Sequence, residues 1–407
     1  MKIAQINAVC GTASTGRTAV ELALGLEAKG HSSHVFYSYD KNTYPHATRI
    51  GNTLDRKVHA LLSRLTGLQG YFSATATRRL IRQLKKYQPD VVHLRNLHSN
   101  YVNLKMLLGY LAREDVPTVI TLHDCWFYTG KCTYYVSADC RKWQQKCGSC
   151  PLLHVDNVNP TFFFDTTAKC LADKKKWLGA IPRLAVVGVS QWVTQEVANG
   201  SILADRDPVT IYNWIDFDVF HPRQSDLRTK HGLEDRFVIL VVASTISHIK
   251  CYNEIKAIAE RMPERWAIVA IGETTAPLPG NVIHIPRTHN TTSLAEYYSM
   301  ADVCLNTTLY ETFGKVTVES MCCGTPVIVY RNTASPELVE DGCGEIVEQE
   351  QGMDAVMAAL KKVESAGKAH YSTACLESVR RRFSKETGVD AYIRLYEQLI
   401  DRQAHEC

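Results

Sequence analysis

Short apolar runs alternate with helix-patterned text along this chain, and the alternation starts twice. In the first half the spacing predicts strands at Lys2–Ala8, His34–Tyr37, Val91–Leu94, Thr118–Leu122, Leu184–Val189 and Val209–Tyr212, with a helix over Thr18–Lys29. The rhythm restarts with strands at Phe237–Val242, Trp266–Ile271, Val282–Ile285, Val303–Leu305 and Val327–Tyr330, and a helix over Asn253–Arg261. Runs of this kind fit strands buried on both faces, and strand–helix alternation fits parallel sheets with helices on each side. Two series predict an α/β chain of two doubly wound, Rossmann-like domains. Ligands of such sheets bind beyond the carboxyl ends of the strands, so a cleft between the two domains is the expected site.

The boundaries follow from this reading. Residues 1–218 form the first domain, with a cysteine-rich loop at 125–151. Residues 219–384 form the second, and a last helix over 385–407 returns toward the first. The junction falls in the segment from Asp216 to Gln224, which contains Phe220-His221-Pro222. A length of 407 residues agrees with two or three domains. The composition, 45% hydrophobic and 22% charged, is that of a globular protein, and a formal charge of +4 is too small to argue for nucleic acid. No stretch near the start reads as a signal peptide, and no window approaches the roughly 20 apolar residues of a spanning helix. The expected location is the cytoplasm. Its fourteen cysteines are then expected to be thiols or metal ligands more than disulfides.

The most telling segment is Leu309–Ile328. Glu311 stands in a turn with Gly314, and Glu319 follows on a helix that stops at Gly324-Thr325-Pro326. The reading puts one carboxylate at the helix entrance and the other about two turns in, on a similar face. A helix start attracts anions such as a diphosphate, and a carboxylate farther along can accept hydrogen bonds from a ribose diol. That pairing suits a nucleotide-sugar.

Glu311, seven intervening residues, Glu319 and then Cys323-Gly324-Thr325-Pro326-Val327 resemble the signature of retaining GT-B glycosyltransferases, in particular family 4, and the similarity runs over nearly the whole chain. It looks closest to bacterial members that build capsule, exopolysaccharide or O-antigen. The resemblance implies transfer of a hexose from a UDP- or GDP-linked donor to a glycan or polyprenyl-linked acceptor, with no metal cofactor for catalysis and no nucleic-acid partner. Rival readings are a sugar-nucleotide epimerase on the same fold and a non-catalytic carbohydrate-binding module.

The resemblance also distributes roles. Glu319 holds the ribose, and Glu311 faces the donor sugar. Thr312, Phe313, Gly314 and Lys315 lie near the phosphates, and Lys250 stabilises the leaving diphosphate. Ser244 stands where family members often carry an arginine, six residues before Lys250. His123, in Thr121-Leu122-His123-Asp124, contacts the donor sugar or reaction centre. The loop Cys10–Thr18, with Gly16, almost spells a phosphate-binding loop but has Arg17 in place of its lysine. The family gives it a place facing the donor diphosphate; a plain tight turn is the other reading.

Two further features stand apart. Cys132, Cys140, Cys147 and Cys150 have spacing that can close on a structural zinc, with free thiols or disulfides as the alternatives. The basic run from Arg78 to Lys86 has helical spacing. It reads as a solvated face, or as an attraction to anionic lipid at the inner face of a membrane.

Overall fold

The computed structural model describes residues 1–39, 42, 44–155 and 160–401. The chain divides into two compact units. One comprises Met1–Ile211 with Gly388–Cys407, and the other Tyr212–Thr387.

In the first unit the chain runs β1 (Lys2–Ile6), α1 (Ala13–Ala28), β2 (Ser32–Tyr37), β3 (Ala47–Arg49), α2 (Thr53–Thr66), α3 (Ala74–Tyr87), β4 (Val91–Leu94) and α4 (Leu104–Arg113). It continues β5 (Thr118–Leu122), α5 (Thr167–Gly179), β6 (Leu184–Gly188), α6 (Gln191–Ala198) and β7 (Val209–Thr210). The seven strands are all parallel in the order β3-β2-β1-β4-β5-β6-β7.

The second unit runs α7 (Leu227–His231), β8 (Phe237–Ile246), α8 (Tyr252–Arg261), β9 (Trp266–Thr274), β10 (Val282–Ile285), α9 (Thr291–Met300) and β11 (Val303–Asn306). It then runs α10 (Lys315–Cys322), β12 (Val327–Tyr330), β13 (Gly344–Val347), α11 (Gly352–Ala366) and α12 (Lys368–Arg382). Its six strands are parallel in the order β10-β9-β8-β11-β12-β13. The last helix, α13 (Lys385–Asp401), belongs from Gly388 onward to the first unit.

Both sheets reverse direction beside their first strand. β1 has β2 on one side and β4 on the other, and β8 has β9 and β11. At such a point two crossovers leave on opposite faces and open a crevice at the carboxyl ends of the central strands. The loops after β8 and β11 therefore meet at one edge of the second sheet.

The boundary falls at Ile211/Tyr212, seven residues before the expected 218. The cause is local. Tyr212 packs on Phe383 at 5.3 Å, and Ile215 N–H donates to the Phe383 carbonyl at 3.1 Å, so the segment already belongs to the second core. In the first unit, α13 is held by His93, fully buried on β4, whose Nδ1 lies 2.8 Å from the Tyr396 hydroxyl and whose Nε2 lies 2.7 Å from Thr121 Oγ1.

Helix α2 starts with a reciprocal cap. The Asn52 side chain accepts from Asp55 N–H, and the Asp55 carboxylate accepts from Asn52 N–H. His59, fully buried on this helix, receives the Gly70 N–H at Nε2 (3.3 Å) and bonds Ser73 Oγ through Nδ1 (2.8 Å). That arrangement uses the neutral ring, and burial lowers its pKa from 6.5 to about 4. The unfolded chain takes up this proton below about pH 6.5 and the folded chain only below about 4. Stability therefore falls as pH drops through that window, by roughly 2 kcal/mol at pH 5 and 3 at pH 4. Urea unfolding of wild type and His59→Gln at pH 7 and pH 5 checks this. The wild type is expected to lose about 2 kcal/mol more than the variant; equal losses would remove His59 as the cause.

Candidate active site

β8 carries the apolar run Phe237-Val238-Ile239-Leu240-Val241, continues four residues past the expected end and shifts register between Val242 and Thr245. Ser244 is thus an exposed residue of the strand at that irregularity, not part of a loop after it. The loop proper is Ser247–Cys251. Ser247 N–H donates to the Lys250 carbonyl and Lys250 N–H to the Ser247 carbonyl, a tight turn that returns the chain toward β11. Lys250 then bridges to Thr308, and Leu309 N–H donates to the Ile249 carbonyl at 3.0 Å. Backbone bonding of the two loops brings the Lys250 ammonium within 2.8 Å of Glu311 Oε1.

The Lys250 and Glu311 side chains are 37% and 19% exposed, so the pair opens to solvent on one side. The Glu311 carboxylate raises the Lys250 pKa against the opposing effect of burial, which keeps the ammonium charged. Glu311 is also fixed through its backbone: its N–H donates to Thr333 Oγ1 at 2.9 Å, and its carbonyl accepts from Ala334 N–H.

Gly314 stands between Glu311 and the helix, with φ +93° and ψ 61°. A side chain would be strained in that conformation, and a Cβ would lie 3.3 Å from Leu338 Cδ1. Phe313 beside it is buried, with ring centroids 6.2 Å from Tyr212 and 5.6 Å from Phe383. Phe313 anchors the turn, and Gly314 lets α10 begin at Lys315. Thr312 is buried and Lys315 half-buried. Because the helix starts only at Lys315, Glu311 precedes it by four residues and Glu319 lies about one turn in, not two.

The two carboxylates have separate supports. Glu319 is 8% exposed, and its Oε2 accepts from the Tyr298 hydroxyl of α9 at 3.1 Å. The Tyr298 phenol is fully buried, and burial with the nearby Glu319 charge drives its pKa well up, so it stays a donor. Only a small edge of Glu319 is open to solvent. Sequence reasoning missed Tyr298, which lies 21 residues upstream, and also Glu254. Glu254 is buried in the first turn of α8, where Tyr330 at the end of β12 donates to its Oε1 at 2.9 Å. Burial raises the Glu254 pKa.

In the first unit His123 follows β5 directly and is half-buried. Its neighbour Asp124 has Oδ2 2.9 Å from His98 Nε2, and Oδ1 accepts from Trp126 N–H, which fixes the backbone beside His123. Gly16 lies inside α1. A Cβ there would sit 3.0 Å from Val9 Cγ2 and 3.2 Å from Gly11 N, while Gly11 N–H donates to the Gly16 carbonyl. The residue lets the turn after β1 close on the helix. Ala13, at φ 51°, marks the strain of that turn.

Among the described residues no three His, Cys, Asp or Glu side chains gather as a metal-ligand set; Cys132 is buried, and Cys140, Cys147 and Cys150 are half-buried. Aromatic packing holds the loop. Trp143, 1% exposed, sits 4.9 Å from Tyr128 and 5.0 Å from Tyr135, ring to ring. The buried Lys174 ammonium lies 4.3 Å over the Trp126 ring and donates to the Trp126 carbonyl.

Residues 15–150 match the family model for Glycosyltransferase Family 4, and residues 224–374 match that for Glycosyl transferases group 1. Together they cover more than half of the chain. The chain is a glycosyltransferase of the family-4 type. It is 23% identical over 418 residues to a protein named for colanic acid biosynthesis, the glycosyl transferase WcaC of Escherichia coli (strain K12), covering 98% of this chain and all of that one. Among solved structures, sucrose-phosphate synthase from Thermosynechococcus elongatus superposes with TM-score 0.70 at 17% identity, over 98% of this chain and 99% of the other. Anabaena HepE, solved with UDP, gives TM-score 0.66 at 15% identity, over 98% of this chain and all of the other. The two parallel-sheet α/β domains of this glycosyltransferase are those of the GT-B fold.

Proposed function

We propose that this glycosyltransferase moves a hexose, with retention of anomeric configuration, from a nucleotide-sugar to a glycan or polyprenyl-linked acceptor in the synthesis of a cell-surface polysaccharide. The observation that carries the reading is the Lys250–Glu311 pair, 2.8 Å apart, held by backbone bonding at the β8/β11 reversal point ahead of the amino end of α10. A diphosphate at that place meets a charged ammonium and the positive end of a helix dipole. Glu319, one turn in, is positioned for the ribose hydroxyls, and Glu311 for the donor sugar. HepE, similar in fold, has been solved with UDP and with UDP-glucose, and WcaC is named for colanic acid biosynthesis.

In the reaction the bond between the anomeric carbon and the diphosphate oxygen breaks, and its electron pair stays with the diphosphate. Lys250 and the amino end of α10 stabilise that charge as it grows, which lowers the barrier without a metal. The acceptor oxygen bonds the anomeric carbon on the face the leaving group vacates. Its proton passes to a phosphate oxygen, so the scheme asks no side chain to act as base. Ser244, exposed on β8, carries no charge for the phosphates; Lys250 and Lys315 are the cations of this segment.

A melting-temperature screen against UDP, GDP and their sugars tests the donor. One nucleoside diphosphate is expected to stabilise the protein by about 3 kcal/mol at a hundred times its Kd, and the other to leave it unchanged. No stabilisation by either would overturn the reading. Incubation of the donor alone is expected to leave the sugar unaltered, whereas an epimerase would interconvert it.

A further inference from the structure

Helix α2 has its faces reversed. At 100° per residue, Leu54, Val58, Leu61 and Leu65 share one stripe. Leu54, Val58 and Leu61 are 69%, 47% and 54% exposed. The face turned inward carries His59 and Ser63, both buried. An ordinary surface helix does the opposite.

A second apolar element adjoins it. Phe162 N–H donates to the carbonyl of Arg64 near the end of α2, at 2.8 Å. Phe162, Phe163 and Phe164 are 50%, 68% and 61% exposed, with consecutive ring centroids 6.3 and 6.4 Å apart. Three exposed phenylalanines beside three exposed aliphatic side chains form an apolar surface of the kind that marks an interaction site.

Charge selects the occupant. Lys57 and Arg64, both exposed, flank the stripe. The next helix, α3, is joined to α2 by the Ser73–His59 hydrogen bond and adds exposed Arg78, Arg79, Arg82 and Lys86. Lys85 is paired with Glu114. The nearby acids are engaged: Asp55 caps α2, and Asp165 accepts from Thr167 and Cys150. A second copy would bring the same cations against each other. A surface with apolar depth and an anionic face matches both features.

We propose that the Leu54–Val58–Leu61 face of α2 and Phe162–Phe164 form a docking surface for an anionic lipid bilayer, seated by the phenylalanines and attracted by Lys57, Arg64 and the basic face of α3. The surface lies wholly in the first unit, and the vesicle-binding measurement that decides it needs no sugar-nucleotide, so it stands or falls apart from the donor site.

The test is flotation of the full chain with vesicles of phosphatidylcholine mixed with phosphatidylglycerol, beside vesicles of phosphatidylcholine alone. The expected result is binding to the mixed vesicles that weakens with salt. Phe163→Glu/Phe164→Glu and Leu61→Glu are each expected to lower the partition coefficient at least about tenfold. Lys57→Gln/Arg64→Gln is expected to lower it about fivefold per charge. Thermal melting and transfer to a soluble acceptor should stay at wild-type levels in the phenylalanine variant. Failure of the wild type to bind mixed vesicles, or wild-type binding by the phenylalanine and leucine variants, would overturn the proposal. So would a wild-type dimer in solution that Phe163→Glu/Phe164→Glu separates, because the face would then belong to a second copy.

Discussion

Lys250→Ala is expected to turn over roughly 10²–10³-fold more slowly than wild type, the usual cost of removing one preorganised group aimed at developing charge. The loss should fall on kcat, because the ammonium meets most of its negative charge as the diphosphate departs. The protein should remain folded. A half-exposed ion pair contributes only about 0–1 kcal/mol to stability, and its 37% and 19% exposed partners can each be solvated after the other is removed. Steady-state kinetics with chemical unfolding of the same preparation checks both halves. Glu311→Ala should show a loss of similar order. The double variant should be little slower than either single one, since the two side chains act through one contact of 2.8 Å. Multiplying losses would mean that the two work separately.

Glu319→Ala is expected to act on binding. A ribose diol that donates two hydrogen bonds to a carboxylate gains roughly 1.5–3 kcal/mol from each. Removing the carboxylate should raise the donor KM on the order of 100-fold or more, with a smaller change in kcat because the ribose is held alike before and during the reaction. The variant also deprives the buried Tyr298 hydroxyl of its acceptor, which costs about 1–3 kcal/mol of stability. Glu319→Gln separates the two effects. It leaves an acceptor for Tyr298 and so should recover most of the stability, while the neutral amide binds the diol less strongly. Titration calorimetry with the nucleoside diphosphate, beside urea unfolding of both variants, reads each effect independently.

The strand–helix rhythm carried the architecture because strands buried on both faces leave an unmixed apolar run, as in Val91–Leu94 or Val327–Tyr330, both entirely buried. Two strands left no such mark. β3 has three residues with none buried, and β13 contains Gly344 and Glu345, so backbone pairing alone defines them. Within the site, Glu311, Gly314 and Glu319 were legible because they lie in one short segment with a recognisable spacing. The turn that presents Lys250 was legible only as a position. That β8 continues to Ile246, and that Ser244 therefore sits in the strand, depends on pairing with β9 that single-sequence periodicity does not encode. Tyr298 and Glu254 escaped notice because their partners lie 21 and 76 residues away. In the cysteine-rich loop the rings of Trp143, Tyr128 and Tyr135 pack together, a contact that spacing along the chain does not encode. Helix α2 misleads a sequence reader in a different way. Its Leu54, Val58 and Leu61 have the period of a core face yet point to solvent, a difference that appears only once His59 and Ser63 are seen inside.

The most direct test of the account is diffraction from crystals of this enzyme soaked with its stabilising nucleoside diphosphate. The account predicts ribose hydroxyls within hydrogen-bond distance of the Glu319 carboxylate, and a diphosphate reached by Lys250 at the amino end of α10. Density for the nucleotide elsewhere in the second unit, with Lys250 still closed on Glu311 and Glu319 bonded only to protein, would contradict it.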